Sequence, residues 1–325
     1  VMQQLAYEEY AHEYPEVADG RNLWLEAVED MIDRGFDIQL HVHPQWHDAT
    51  YDGEFWRLDD RWSLCDYSRS AIEEMISSTL SYLENQFPEQ NIKSFRAGSW
   101  SICCPSRDVL EVLADHGITL DVSIVGGAYY DGDCICLDYT DLDFPRRAYH
   151  PDIEDARKLS DSRGDVVEIP TQSVPCEEIS ITRLESAKLK LRSIRQRFRD
   201  VIEVYTGDDN PTSSPDHVPN DPFGFFMDKG RHESYILDFA NQMAPLLMKK
   251  CIRFVIEDAL STAKDDIYCV FENHTKDLQD ESDFQNIETY IRFLQREYGD
   301  VIEFVTMSEL ADRQDQIASQ ALTKL

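Results

Sequence analysis

Three histidines stand close together in the stretch GFDIQLHVHPQWHDA, which covers residues 35–49. The residues before them alternate apolar and polar side chains, which predicts a β-strand over 36–43. Side chains two positions apart in a strand point to the same side, so His41 and His43 share one face. Two imidazoles side by side at a strand end can hold one divalent metal ion. The spacing therefore favours metal binding or catalysis by His41 and His43, with His47 as a further candidate ligand.

Two other polar clusters follow predicted strands. In FRAGSW, Arg96 offers a rigid fork of donors suited to a carboxylate, and Gly98 permits close approach of backbone or ligand. Trp100 offers a flat apolar face on which a sugar ring can stack, although a structural arginine with a packing tryptophan explains the motif equally well. In FENHTK, His274 follows an apolar run. Three polar clusters at three strand ends together predict an active site.

Strand and helix patterns alternate through the first 170 residues, which predicts an α/β fold with a parallel sheet or barrel and helices outside. A helix is predicted over 22–35, with Leu23 and Val28 on its apolar face and Gly35 at its end. Three helix starts carry capping-box pairs, which are Ser70–Glu73, Ser282–Gln285 and Thr306–Glu309. The predicted strands cover 36–43, 93–98, 118–125, 166–170, 266–274 and 301–305.

The middle of the chain has a different character. An amphipathic helix with a basic polar face is predicted over 183–202, followed by a Pro/Asp/Ser-rich loop over 206–222. We interpret 1–325 as one elaborated domain, with a loop and helix insertion over 176–265. Histidines 150, 217 and 232 are expected at the surface.

Charge and cysteine usage limit the function classes. Lys+Arg 31 against Asp+Glu 63 gives a formal net charge of -32, which disfavours binding to nucleic acid or to an anionic membrane. No apolar run is long enough for a membrane span. The 8 cysteines include no C-x-x-C pair, which disfavours a zinc ribbon and a thioredoxin-like motif. We expect reduced thiols and a cytoplasmic location. No G-x-G-x-x-G, P-loop or G-x-S-x-G motif occurs.

The three clusters, in this order, resemble the polysaccharide deacetylase family, which comprises carbohydrate esterases with a NodB-like barrel. The match is to a divergent branch in which DIQLHVHPQW carries an HxHPxW histidine motif. SFRAGSW, GITLDVSIV, VEIPTQSVP and FENHTKDL resemble later motifs of the family, and the resemblance covers about residues 22–310, loosely through 176–265. It implies a deformed (β/α) barrel of about seven parallel strands.

The resemblance also implies a chemistry. A divalent metal, zinc first and otherwise manganese, cobalt or nickel, would polarise an amide carbonyl and activate water. Its ligands would be His41 with either His43 or His47. Arg96 would orient a catalytic carboxylate, and His274 would act as general acid. The carbohydrate substrate would contact Trp46, Trp100 and Asp121.

Two positions depart from the family pattern. The family's second histidine falls at Gln45, and its first motif, an acidic pair on the first barrel strand, does not occur in the sequence. We therefore expect that the sequence lacks the first strand of the fold. The expected function is a metal-dependent hydrolase that removes an N-acetyl or other N-acyl group from a sugar or glycan intermediate. A catalytically silent carbohydrate-binding protein and a hydrolase of another non-peptide C–N bond are the alternatives.

Overall fold

The structure is a computed structural model that describes residues 1–102, 105–131, 136–142, 147–180, 182, 234–239, 245–262, 266–274, 278 and 281–323. The described residues belong to two compact units. The first unit draws on Val1–Thr171, Lys264–Val270 and Glu303–Leu325, and the second draws on Gln172–Ala263 and Phe271–Ile302. The predicted helix over 183–202 and the predicted loop over 206–222 lie outside the described residues.

A parallel sheet of four strands organises the first unit. Its order is β1 (Leu40–Val42), β4 (Ser94–Ala97), β5 (Leu120–Asp121) and β8 (Val167–Glu168). These strands lie within four of the predicted ones, but each is shorter than its pattern suggested. The mixed α/β class is confirmed, whereas the described residues show four strands in this sheet and not a barrel of about seven. The residues predicted as later strands form isolated parallel bridges, Thr171 with Val270 and Asp238 with Glu272.

Four helices belong to the amino-terminal part of this unit. They are α1 (Met2–Tyr10), α2 (Pro15–Asp33), α3 (Arg69–Gln86) and α4 (Arg107–Asp115). Helix α3 packs on β1 and on α4, and it buries a stripe that includes Ile72, Ile76 and Leu83. Burial of each such side chain contributes about 1.5–3 kcal/mol. The helices therefore hold the sheet that carries the predicted site residues.

A second apolar layer, formed by two helices within residues 307–320, covers part of the sheet. Helices α7 (Met307–Asp312) and α8 (Gln314–Gln320) place Leu310 and Ile317 in one buried cluster with Leu120 and Val167. The start of α7 is fixed by a capping box in which Thr306 and Glu309 exchange hydrogen bonds, as predicted.

The amide side chain of Gln39 ties α7 to the sheet. Its Oε1 accepts hydrogen bonds from the backbone N–H groups of Lys93 and Ser94, both at 2.9 Å. Its Nε2 lies 3.1 Å from Oδ1 of Asp37, whose other oxygen accepts a 2.9 Å hydrogen bond from the Ser308 backbone N–H in α7. One partly buried network thus fixes the entry into β1, the entry into β4 and the first turn of α7.

The remaining elements are short hairpins and the second unit. Strands β2 (Thr50–Tyr51) and β3 (Trp56–Arg57) pair antiparallel, as do β6 (Tyr129–Asp131) and β7 (Cys136–Asp138). The second unit contains β9 (Ser173–Pro175), β10 (Ser234–Ile236), α5 (Pro245–Thr262) and α6 (Glu281–Tyr298), with β9 and β10 antiparallel. Among the helices that the structure describes, none has the length and apolar character needed to cross a membrane.

Several local predictions were wrong. Helix α3 is capped by Ser68, whose side chain accepts from Ala71 N, and not by Ser70, which lies inside the helix. Likewise α6 begins at Glu281, so Ser282 is helical and not the cap. Leu23, predicted on the apolar face with Val28, is 69% exposed, because the buried side of α2 that carries Val28 faces away from Leu23. Residues 301–305, predicted as a strand, form no strand in the structure.

Candidate metal centre and the polar strand ends

Asp238, Glu272 and His274 form a compact group in the second unit. A parallel bridge joins Asp238 to Glu272, with Glu272 N donating to Leu237 O at 3.2 Å and Phe239 N donating to Glu272 O at 2.9 Å. Because side chains at i and i+2 of an extended segment share a face, Glu272 and His274 point to the same side. The backbone pairing therefore brings three chemically useful side chains together from two separate segments.

The three side chains offer one ligand atom each, and these atoms lie within 4.8 Å of one another. Asp238 and Glu272 are buried, at 6% and 5% exposure, and His274 is half-buried. Nδ1 of His274 lies 2.9 Å from Oδ2 of Asp238. A carboxylate can only accept, so the hydrogen bond places a proton on Nδ1 when no metal is bound.

This donor set suits a divalent metal ion. One imidazole and two carboxylates are ligands that zinc accepts, and manganese, cobalt and nickel accept them as well. Burial favours a bound cation, because two adjacent buried carboxylates need a positive charge or a proton nearby. Aromatic packing holds the strand segments, since Phe239 stacks on Phe271 at 5.1 Å and contacts Tyr290 at 5.2 Å between ring centroids. The residues present therefore fit a metal ion.

The predicted histidine pair lies in the first unit, at the end of β1. The rings of His41 and His43 are 4.6 Å apart between centroids and nearly perpendicular. His41 pairs in register with Arg96 of β4, and its Nδ1–H donates to the Arg96 carbonyl at 2.8 Å. This hydrogen bond fixes the tautomer, so Nε2 of His41 carries the lone pair.

His41 is held in its neutral form. Burial lowers its pKa well below the ordinary value, and the nearby His43 and Arg96 lower it further. Nδ1 of His43 lies 3.2 Å from Nε2 of Gln45. A neutral imidazole oriented by a backbone carbonyl is the form in which histidine binds metals.

His47 and Trp46 lie beside aromatic rings. The His47 ring is 6.2 Å from the ring of Tyr67, and Trp46 packs edge-on against Trp56 at 5.3 Å between centroids. No three-ligand group that includes these histidines occurs in the described residues. The choice between His43 and His47 as second ligand stays a prediction.

Arg96, Gly98 and Trp100 follow one another at the end of β4. The Arg96 guanidinium lies 5.8 Å from the Trp100 ring centroid, and Trp100 is 9% exposed. A Cβ added to Gly98 would come within 2.7 Å of the Val42 carbonyl and 2.8 Å of His43 Nδ1. Only glycine therefore fits between this turn and the histidine strand. Trp100 has a φ of 54°, in the left-handed region that non-glycine residues rarely adopt.

Asp121, predicted to contact substrate, is buried at 1% exposure in β5. Its Oδ1 accepts a 3.1 Å hydrogen bond from Ser123 N, and it pairs in register with Glu168 of β8. The structure thus gives Asp121 buried partners within the sheet, and its contact with a substrate stays a prediction.

Sequence reasoning identified His274 but missed Asp238 and Glu272. The signal for Glu272 was present, because E-x-H places an acid and a histidine on one face of a strand. Asp238 follows the apolar run YIL at a strand end, which is the position that drew attention to the histidines. His150, expected at the surface, is fully buried in the structure.

The chain was compared with protein-family models, with curated proteins and with solved structures, and nothing matched in any of the three comparisons.

Proposed function

We propose that the protein is a metal-dependent hydrolase whose metal ion is held by Asp238, Glu272 and His274. The observation that carries the proposal is the convergence of one imidazole and two buried carboxylates, with ligand atoms within 4.8 Å of one another. A bound divalent ion would supply Lewis-acid chemistry and activation of water.

The surrounding residues have defined tasks in this proposal. Asp238 accepts from His274 Nδ1 in the unloaded protein and so keeps the imidazole oriented toward the centre. Asp238, Glu272 and His274 would hold the ion through deprotonated ligand atoms, so protons would compete with the metal and its affinity would decrease as pH falls. Phe239 and Phe271 stack on each other and hold together the two segments that carry the carboxylates. Because both carboxylates are buried, they attract a cation more strongly than they would in water.

For the substrate we propose an N-acylated sugar or glycan intermediate. The support is the sequence resemblance of LHVHPQW, SFRAGSW and FENHTKDL to polysaccharide deacetylase motifs. Zinc is the first metal to test, since imidazole with carboxylate is a common zinc ligand set.

A second metal position has an observation in its favour. His41 donates Nδ1–H to a backbone carbonyl, its Nε2 carries a lone pair, and His43 lies beside it. This is the outer hydrogen bond that metal-binding histidines generally make. In this alternative the histidine pair of the first unit holds the ion.

Metal titration of four proteins separates these positions. The purified full chain, Glu272→Gln, the double variant His41→Ala/His43→Ala and the control Glu257→Gln are each titrated with zinc and with manganese by calorimetry. Glu257 is exposed on α5, so its substitution tests the loss of one surface charge alone. We expect about one ion per chain in the wild type and control, and an affinity loss of about 100-fold in Glu272→Gln. Loss in the histidine double variant instead supports the second position, and no binding by the wild type overturns the proposal.

Turnover is tested with a panel of N-acetylated sugars, nucleotide-linked sugars and chitin oligomers, with acetate and amine release measured together. Equal release of both products from one member supports an N-deacylase. Metal binding without release from any member contradicts the substrate class while leaving the metal centre intact.

A further inference from the structure

Two acidic side chains lie next to each other inside the sheet of the first unit. Asp121 on β5 and Glu168 on β8 are register partners in adjacent parallel strands, so their side chains leave the sheet on the same side. Both residues are 1% exposed. As register partners the two carboxyl groups are neighbours, and each affects the pKa of the other.

Each carboxyl also holds the loop that follows β5. Asp121 Oδ1 accepts hydrogen bonds from the backbone and hydroxyl of Ser123, and Glu168 Oε1 accepts from Ile124 N at 3.0 Å. The Ser123 hydroxyl in turn accepts from Ala97 N at 2.8 Å. One hydrogen-bonded chain therefore runs from β8 through β5 to the end of β4, directly beside Arg96.

The remaining oxygens determine the charge of the pair. Asp121 Oδ2 and Glu168 Oε2 are buried and accept from no donor group in the described part of the chain. Neither carboxyl is paired with a cation there, so two negative charges would be placed in contact without compensation. One proton between the two oxygens removes this repulsion and satisfies both oxygens with a single hydrogen bond.

We propose that Asp121 and Glu168 share one proton at neutral pH and act together as a positioning unit that fixes the carboxyl ends of β4, β5 and β8. The metal proposal is not needed for this inference, because no candidate metal ligand takes part in the network. The pair is a buried counterpart of the carboxyl dyads in which two acids hold one proton.

Tyr149 is the titratable side chain on which both carboxyls of the pair act. Tyr149, whose backbone pairs with Glu168, donates its hydroxyl to Ala156 O, and burial followed by the two carboxyls raises its pKa well above the ordinary value. Tyr139 and Asp155 are the other titratable groups that act on Tyr149. Asp155 is paired with Arg157 and Lys158, so its own charge is already compensated.

The direction of the pH effect follows from burial. Burial raises the pKa of Asp121 to about 6 and that of Glu168 well above its ordinary value, and the proximity of Asp121 adds to the second shift. In the unfolded chain both groups lose their protons near pH 4. The folded protein retains a proton there that the unfolded chain has lost, so the contribution to stability decreases as pH rises above about 4.

The first test compares the wild type with Glu168→Gln across pH 5 to 8. Glutamine keeps an acceptor for Ile124 N and offers Asp121 an N–H in place of the shared proton. For one proton the unfolding equilibrium constant changes about tenfold per pH unit. We expect the unfolding equilibrium constant to depend more steeply on pH in the wild type than in Glu168→Gln, by up to about tenfold per pH unit. The exposed Glu84→Gln is the control and should keep the wild-type slope. Parallel slopes overturn the proposal.

A spectroscopic readout and a double variant complete the test. The infrared C=O stretching band of a protonated carboxyl is expected at pH 7 in the wild type and is expected to be lost in Glu168→Gln. In Asp121→Asn/Glu168→Gln two N–H₂ groups face each other, so the unfolding constant is expected to rise about tenfold or more beyond the product of the two single-variant changes. Additive single effects, or identical spectra at pH 7, contradict the shared proton.

Discussion

His274 Nδ1 and Asp238 Oδ2 lie 2.9 Å apart, although 36 positions separate the two residues in the sequence. The parallel bridge between Asp238 and Glu272 produces this contact, and the same bridge brings the second carboxylate beside the imidazole. The arrangement gives a metal-binding hypothesis that stands on the second unit alone.

A metal ion bound to this group would stabilise the folded second unit. At a free zinc concentration of about 100 times the dissociation constant, the free energy of unfolding should rise by about 2.7 kcal/mol. Thermal unfolding of desalted protein, measured with and without zinc, checks this expectation. The shift should be absent in Glu272→Gln and preserved in Glu257→Gln. An equal shift in all three proteins would assign the stabilisation to another site.

Gly98→Ala should destabilise the first unit and displace the His43 ring. The new Cβ would lie within 3 Å of the Val42 carbonyl and of the imidazole, which is closer than van der Waals contact allows. Overpacking of this kind costs about 1–3 kcal/mol. Denaturant unfolding measures the loss, and histidine ring NMR signals report the displacement.

Gly164→Ala is the matched control for this substitution, because the nearest atom to its added Cβ is 3.8 Å away and its N–H remains in place. Equal stability of the two alanine variants would contradict close packing at Gly98.

The sequence predicted local features of the sheet better than the number of its strands or its closure into a barrel. The strand end with His41, the neighbouring strand with Arg96 and the capping box of Thr306 with Glu309 all follow from patterns within a few residues. Ser68 replaced Ser70 as a helix cap because either serine can occupy that position, and only packing decides the register of the helix.

These local patterns did not predict which distant segments pair with each other. No periodicity in the sequence relates Asp238 to Glu272, because their bridge depends on how two distant segments meet. The same holds for Asp121 and Glu168, whose shared burial is visible only once β5 and β8 are neighbours. Asp121 was predicted as a substrate contact and Glu168 was given no role, since burial of a carboxyl is rare without a partner.

Gln39→Ala should lower the stability of the first unit by about 2–4 kcal/mol, because it leaves two buried or partly buried backbone N–H groups without their acceptor. The N–H groups of Lys93 and Ser94 lose their acceptor, and Asp37 loses a donor. Urea unfolding checks the magnitude, with the exposed Gln86→Ala as control. A change below about 0.5 kcal/mol, the usual effect of a surface substitution, would show that water replaces these bonds.

Gln39→Glu tests the polarity of the same network. The substitution keeps an acceptor for β4 but places a second carboxylate beside Asp37, so we expect destabilisation at pH 7 that lessens on acidification. Equal destabilisation at pH 5 and pH 7 would assign the effect to geometry and not to charge.

His150 is a structural histidine that uses both ring nitrogens. Its Nε2–H donates to Ala318 O at 2.9 Å, and its Nδ1 accepts from Gly164 N at 3.1 Å. Because the ring is fully buried, His150→Ala removes both bonds and leaves a cavity, at an expected cost of about 2–5 kcal/mol. His150→Asn and His150→Gln can each restore one bond, the asparagine oxygen near the Nδ1 position and the glutamine nitrogen near the Nε2 position.

We therefore expect both amide variants to be more stable than the alanine variant, each by about 1 kcal/mol for one hydrogen bond. Thermal unfolding of the three variants, with the exposed His12→Ala as control, measures the order. Identical stabilities of the three variants would mean that the volume of the ring, and not its hydrogen bonds, joins the segments around His150 and Gly164 to α8.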